Sequence, residues 1–199
     1  MFVQLIEGRT QDRDSLQRQL DAWDRDVKPG AVGYLGGTGG IADDGTFFMA
    51  ARFESAEAAK SNSDRPEQDA WWSETEKFLE GVTFFDASDI ELWGRGGSED
   101  AGFVQVMHGR TTDPARMREL DKSFESSMEK MRPDIIGGVS IDRGNGEFTS
   151  IAYFTTEEEA RAGESQEMPP ELADTFSEWQ SLMGDRRFID LTDPILSRP

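Results

Sequence analysis

The sequence predicts an α+β fold in which one βαββαβ unit is built twice. Two observations carry this. Phe2-Val3-Gln4-Leu5-Ile6-Glu7-Gly8-Arg9-Thr10 recurs as Phe103-Val104-Gln105-Val106-Met107-His108-Gly109-Arg110-Thr111, and the strand and helix periodicities that follow run in the same order in both copies. A third observation narrows the prediction. The 199-residue chain has no cysteine, so apolar packing must hold it, without disulfides or thiolate-bound zinc.

Further matches keep one order along the chain. Lys28-Pro29 answers Arg132-Pro133, and Asp44-Gly45-Thr46-Phe47 answers Asn145-Gly146-Glu147-Phe148. Ala51-Arg52-Phe53 answers Ala152-Tyr153-Phe154, and Phe84-Phe85-Asp86 answers Phe188-Ile189-Asp190. These matches divide the chain into a first module (1–93), a flexible glycine-rich linker (94–101) and a second module (102–199).

Each element has a local reason. Residues 2–7 and 103–108 alternate and are rich in Val, Ile and Phe, as strands are. Asp12 and Asp113 stand where helix N-caps belong, with Pro114 at the favoured first helical position. Leu16, Leu20, Trp23 and Val27 share a helix face, as do Met117, Leu120, Phe124 and Met128, and Pro29 and Pro133 end the two helices. Second strands are expected at 31–36 and 135–141 and third strands at 46–53 and 147–154, joined by the turn dipeptides Asp44-Gly45 and Asn145-Gly146. A short helix capped by Ser55, or by Thr155 or Thr156, follows. Then come longer helices at 67–79 and 171–183 and last strands at 82–92 and 186–191. The order is that of the ferredoxin-like unit.

Two such units in tandem resemble the dimeric α/β-barrel superfamily, and most of all its antibiotic-biosynthesis-monooxygenase-like members, here as a fused pseudo-dimer. The resemblance rests on element order and on the repeat, and it covers nearly the whole chain. It implies two sheets packed face to face with helices outside. It also implies a small-molecule pocket and, among the activities of such proteins, cofactor-independent oxygenation of a planar aromatic or polyketide-like substrate. The alternatives are a non-catalytic ligand- or haem-binding module, or a structural or stress-associated protein without an open pocket.

Composition limits the partners. Forty acids against 21 bases give a formal charge of -19, which argues against nucleic acid and anionic membranes. No stretch of about 18 consecutive apolar residues is present and no leader is visible, so a cytoplasmic protein is expected, either a monomeric pseudo-dimer or a homodimer. No cofactor or metal is expected, except that His108, the single histidine, is one candidate axial ligand for haem.

Candidate site residues follow from differences between the copies. Glu7 in the first strand is exchanged for His108 in the second, a pair suited to general acid and base work because histidine titrates near neutrality. The alternative is two polar strand ends paired with Arg9 and Arg110. Those two arginines can clamp a substrate carboxylate or phosphate, or can hold an acidic neighbour. The segment from Asn62 to Trp72 carries an amide, Arg65 and two tryptophans, and the second copy has Gly163 to Thr175-Phe176 there. In the resembled families this segment borders the pocket. Asn62 and Arg65 would then stabilise an enolate or phenolate, and Trp71 would stack on the substrate. The alternative is packing and turn capping. Trp72 answers Phe176 and reads as core. Gly36-Gly37-Thr38-Gly39-Gly40 lacks the ending of a phosphate loop and reads as a flexible hairpin.

Overall fold

The computed structural model describes residues 1–97 and 99–199; Ser98, within the expected linker, lies outside the described residues. Each copy begins as its periodicity predicts. Strand β1 (Phe2–Arg9) leads into helix α1 (Arg13–Ala22), where the Asp12 carboxylate accepts from the Ser15 N–H. The same stripe then continues through a π-helical turn, Trp23–Val27, and a 3-10 turn, Lys28–Gly30. Strands β2 (Tyr34–Ile41) and β3 (Thr46–Phe53) form a hairpin. Helices α2 (Ala56–Ser63) and α3 (Pro66–Thr75) follow, then β4 (Glu80–Ala87) and β5 (Ile90–Gly94). The second copy runs β6 (Phe103–Thr111), α4 (Pro114–Met131), β7 (Ile135–Gly144), β8 (Glu147–Phe154), α5 (Glu157–Glu164), α6 (Ala173–Leu182), β9 (Met183–Leu191) and β10 (Ile195–Ser197).

Two five-stranded antiparallel sheets result, in the orders β10-β2-β3-β1-β4 and β5-β7-β8-β6-β9. The fold is α+β, with tandem ferredoxin-like units. The compact units are residues 1–90 with 193–199, and residues 91–192. Their limits differ from the repeat limits at 93 and 102 because each copy's final strand joins the other copy's sheet: β5 pairs with β7, and β10 with β2.

Two sequence expectations are corrected here. The last strand of the first copy is not continuous over 82–92; it breaks after Ala87, and β5 leaves for the other sheet. Gly36–Gly40 is no flexible hairpin but the buried middle of β2. The glycines are needed for space. A Cβ on Gly37 would stand 2.6 Å from the Tyr34 hydroxyl, and one on Gly39 2.4 Å from the Phe48 carbonyl oxygen.

In the first unit the helices cover the sheet face that carries Phe47 and Phe53. Leu16 and Leu20 pack with Ile41, Phe47 and Leu79, and Tyr34 packs with Phe53 and Ala59. The alternate residues Val3, Leu5, Phe48 and Ala50 are buried too, so both strand faces read apolar. Among the described residues no helix is long and apolar enough to cross a membrane.

Candidate functional site

The first unit gathers the asymmetric residues at the junction of α1, α2 and α3. Arg65 precedes Pro66, which bars it from helical backbone; its φ and ψ of -76° and 134° separate α2 from α3. That bend turns the guanidinium back onto the end of the first helix. There Nη2 donates to the Val27 carbonyl at 3.0 Å, one of the acceptors a helix C-terminus leaves over, and Nη1 donates to Asn62 Oδ1 at 2.9 Å. Asn62 is buried on α2, and its Nδ2 donates to Gln68 Oε1 at 3.3 Å. The same Gln68 oxygen accepts from Trp23 Nε1 at 2.8 Å. Trp71 Nε1 donates to the Gln19 carbonyl at 2.7 Å. The Trp23 and Trp71 rings lie 6.2 Å apart, and Trp71 and Trp72 5.9 Å apart. Both Trp71 and Trp72 are half-buried against the Leu16–Phe47 cluster, so the structure does not divide them into a pocket residue and a core residue.

The second unit solves the same junction differently. Gly163 stands where Asn62 stands, and the Arg132 guanidinium fills its place: a Cβ on Gly163 would be 2.2 Å from Arg132 Nε. Arg132 comes from the end of α4, the opposite side to Arg65, and pairs with Asp134 at 2.7 Å. Both side chains are nearly closed off, at 12% and 9% exposure. Arg65 is 21% exposed, and its only carboxylate neighbour among the described residues is Glu67 at 4.0 Å. The first unit therefore holds a largely withdrawn cation on neutral acceptors, and the second holds a neutralised one.

The remaining candidates lie elsewhere. Arg9 donates to the Asp44 carbonyl at 2.7 Å, and Arg110 pairs with Glu147. Both are exposed and both reach the hairpin turn of their own sheet, which is what a repeated structural contact looks like. Glu7 lies on β1 opposite Phe48 and Thr83. His108 lies at the matching place on β6, opposite Thr149 and Arg187. Its Nδ1 is 2.9 Å from Thr149 Oγ1 and 3.2 Å from Arg143 Nη1. A guanidinium only donates, so Nδ1 is the acceptor there and the proton sits on Nε2. Nε2 is buried, and an axial haem ligand needs an open nitrogen, so this histidine does not fit that role. Among the described residues no group of three metal-ligating side chains forms.

The sequence pattern does not single out Gln68, and it places Trp23 only on the apolar face of the first helix. The π-helical turn widens the helix at Trp23, and such turns are frequent at functional sites. The second copy has an unbroken α-helix there.

No protein-family model and no curated protein matches the sequence. Solved structures do match. A candidate monooxygenase from Lactobacillus acidophilus is 15% identical, with a TM-score of 0.73 over 99% of this chain and 96% of that one. A candidate monooxygenase from Fusobacterium nucleatum is 9% identical, with a TM-score of 0.75 over 99% and 94%. An anthrone oxidase-like protein is 9% identical, with a TM-score of 0.67 over 100% and 91%. At these identities the likeness is one of fold alone: the chain shares its tandem ferredoxin-like fold with these three proteins over nearly its whole length.

Proposed function

We propose that the first unit binds a planar aromatic or polyketide-like molecule as its phenolate or enolate, and oxygenates it without a cofactor. The observation that supports this is Arg65, a largely withdrawn guanidinium held by the Asn62 amide and the Val27 carbonyl, with its one carboxylate neighbour among the described residues, Glu67, no closer than 4.0 Å. Such a cation favours an anion that forms beside it. Trp23 and Trp71 supply aromatic surface near it. Gln68 fixes the Asn62 amide with its oxygen toward Arg65, which keeps the guanidinium in place.

In this reading substrate deprotonation leaves an electron-rich ring system that reacts directly with dioxygen. For an anthrone-like methylene the balance is CH2 plus O2 to C=O plus H2O. The anthrone oxidase-like neighbour makes that substrate class a reasonable first trial.

The experiment uses a hydroxyanthraquinone whose phenolate absorbs visibly. Binding to the wild type is expected to lower its apparent pKa by about one unit, equivalent to about 1.4 kcal/mol. Arg65→Gln is expected to remove that shift with the fold intact by circular dichroism, and Asn62→Ala to reduce it. Oxygen uptake with an anthrone should follow the same order. An unshifted dye pKa, or a shift that survives in Arg65→Gln, defeats the proposal.

A further inference from the structure

Strands β4 and β9 each form one edge of a sheet, opposite the edges formed by β10 and β5, and each has a single hydrogen-bonded neighbour among the described residues. Unpaired N–H and C=O groups along such an edge are a template for another strand. Both edges expose a phenylalanine at the same place in the repeat: Phe84 at 52% and Phe188 at 50%. Phe84 is opposite Ile6, and Phe188 is opposite Met107. Natural edges are guarded by charge, and β9 carries Asp185, Arg186 and Arg187 in its exposed run Gly184–Phe188. Whether charges guard an edge depends on what they would meet.

Antiparallel pairing of β9 with a second β9 about a twofold axis at Phe188 sets Phe188 against Phe188. Arg186 then faces Asp190 of the other copy, and this happens twice, on the same sheet face as the phenylalanines. On the other face Arg187 meets Ile189. Asp190 is already oriented by Gln105 Nε2 at 3.0 Å and by Arg161, and its carboxylate has lone pairs to spare. Arg186 makes no ion pair among the described residues. Shifting the axis to Arg187 sets like charges against each other, and shifting it to Ile189 sets Phe188 against Asp190. The equivalent pairing of β4 on itself sets Val82 against Asp86 and makes no opposite-charge pair. The β9 edge is thus self-complementary in one register, and the β4 edge is not.

We propose that the protein forms a twofold dimer by antiparallel pairing of β9 with β9 of a second copy, centred on Phe188. A contact of this kind closes on itself, and each side chain in it counts twice. The proposal is independent of the ligand site.

Sedimentation velocity tests it on the full chain. The wild type is expected to be a dimer at micromolar concentration. Arg186→Glu, which sets two acids against Asp190, and Phe188→Lys are expected to raise the dissociation constant at least about tenfold, at unchanged melting temperature. Phe84→Lys is expected to leave the dimer intact. Hydrogen exchange on the wild type gives a second reading that needs no variant: β9 amides should gain protection with protein concentration, and β4 amides should not. A wild type that stays monomeric, a dimer that survives Arg186→Glu, a dimer lost in Phe84→Lys, or protection that grows on β4 instead of β9 overturns the proposal.

Discussion

The Tyr34 phenol is buried edge-on between Trp23 and Phe53, with ring centres 5.0 and 5.5 Å away. Burial pushes its pKa up to about 12, against a smaller opposing pull from the Ser197 hydroxyl. The protonated form is therefore the one the fold favours. Because the folded value lies above the ordinary 10.0, this contribution is complete below pH 10 and is lost as pH rises toward 12. Urea midpoints should accordingly fall across that window. Tyr34→Phe should cost about 1 kcal/mol at neutral pH, for one hydrogen bond, and should flatten the alkaline fall. A variant profile parallel to the wild type across the window would show that the phenol is not responsible. Ser197 also donates to Asp24 Oδ1 at 2.8 Å, and Asp24 holds Lys28 at 2.7 Å. Those contacts, led by Lys28, keep the Asp24 carboxyl below the usual carboxylate range. One short polar chain thus ties the last strand to the end of the first helical stretch.

Strand β5 depends on a different fit. Trp93 lies flat on Gly138 of β7, so that a Cβ there would stand 1.9 Å from the indole. A ring cannot yield as the tip of a flexible chain does. Gly138→Ala should therefore cost about 1–3 kcal/mol as an overpacked site, read from denaturant midpoints, with a change in tryptophan fluorescence. A neutral result would mean that β5 contributes little to its sheet. These two fits also show what was legible beforehand. The Asp12 and Asp113 caps, the hairpin turns and the helix stripes could be read because each depends on residues a few positions apart. The Gly36–Gly40 strand could not, because glycine disfavours strands and the groups that fill the gap come from Tyr34 and Met49. The types and positions of Asn62 and Arg65 stood out from the repeat. Their bonds to Gln68 and the Val27 carbonyl did not, since these need the π-helical turn and the bend at Pro66, where non-local packing decides.

At the scale of the whole chain, the repeat and the compact units disagree by one strand each, and that disagreement has a consequence. A cut between the copies leaves residues 1–100 with β5 but without β10, and residues 101–199 with β10 but without β5. Each piece then lacks an outer strand of its own sheet and carries the strand the other piece needs. In the first piece the bared edge is that of β2, whose glycines carry no side chains to guard it. Tyr34 and Asp24 also lose Ser197 as a partner. In the second piece Gly138 loses the Trp93 ring that covers it. Two independent modules joined by a passive linker would fold separately at full stability. The exchanged strands predict the opposite. Expressed alone, each piece should be poorly soluble or melt well below the intact chain. Co-expressed, the two should purify together and regain most of its melting temperature. Deleting 193–199 from the second piece should weaken that recovery, because the first sheet then has no strand to receive. If each piece alone melts cooperatively at the temperature of the intact chain, the exchange is incidental and the copies are separate domains. Fusion of two ancestral copies would in that case have joined them without making them interdependent.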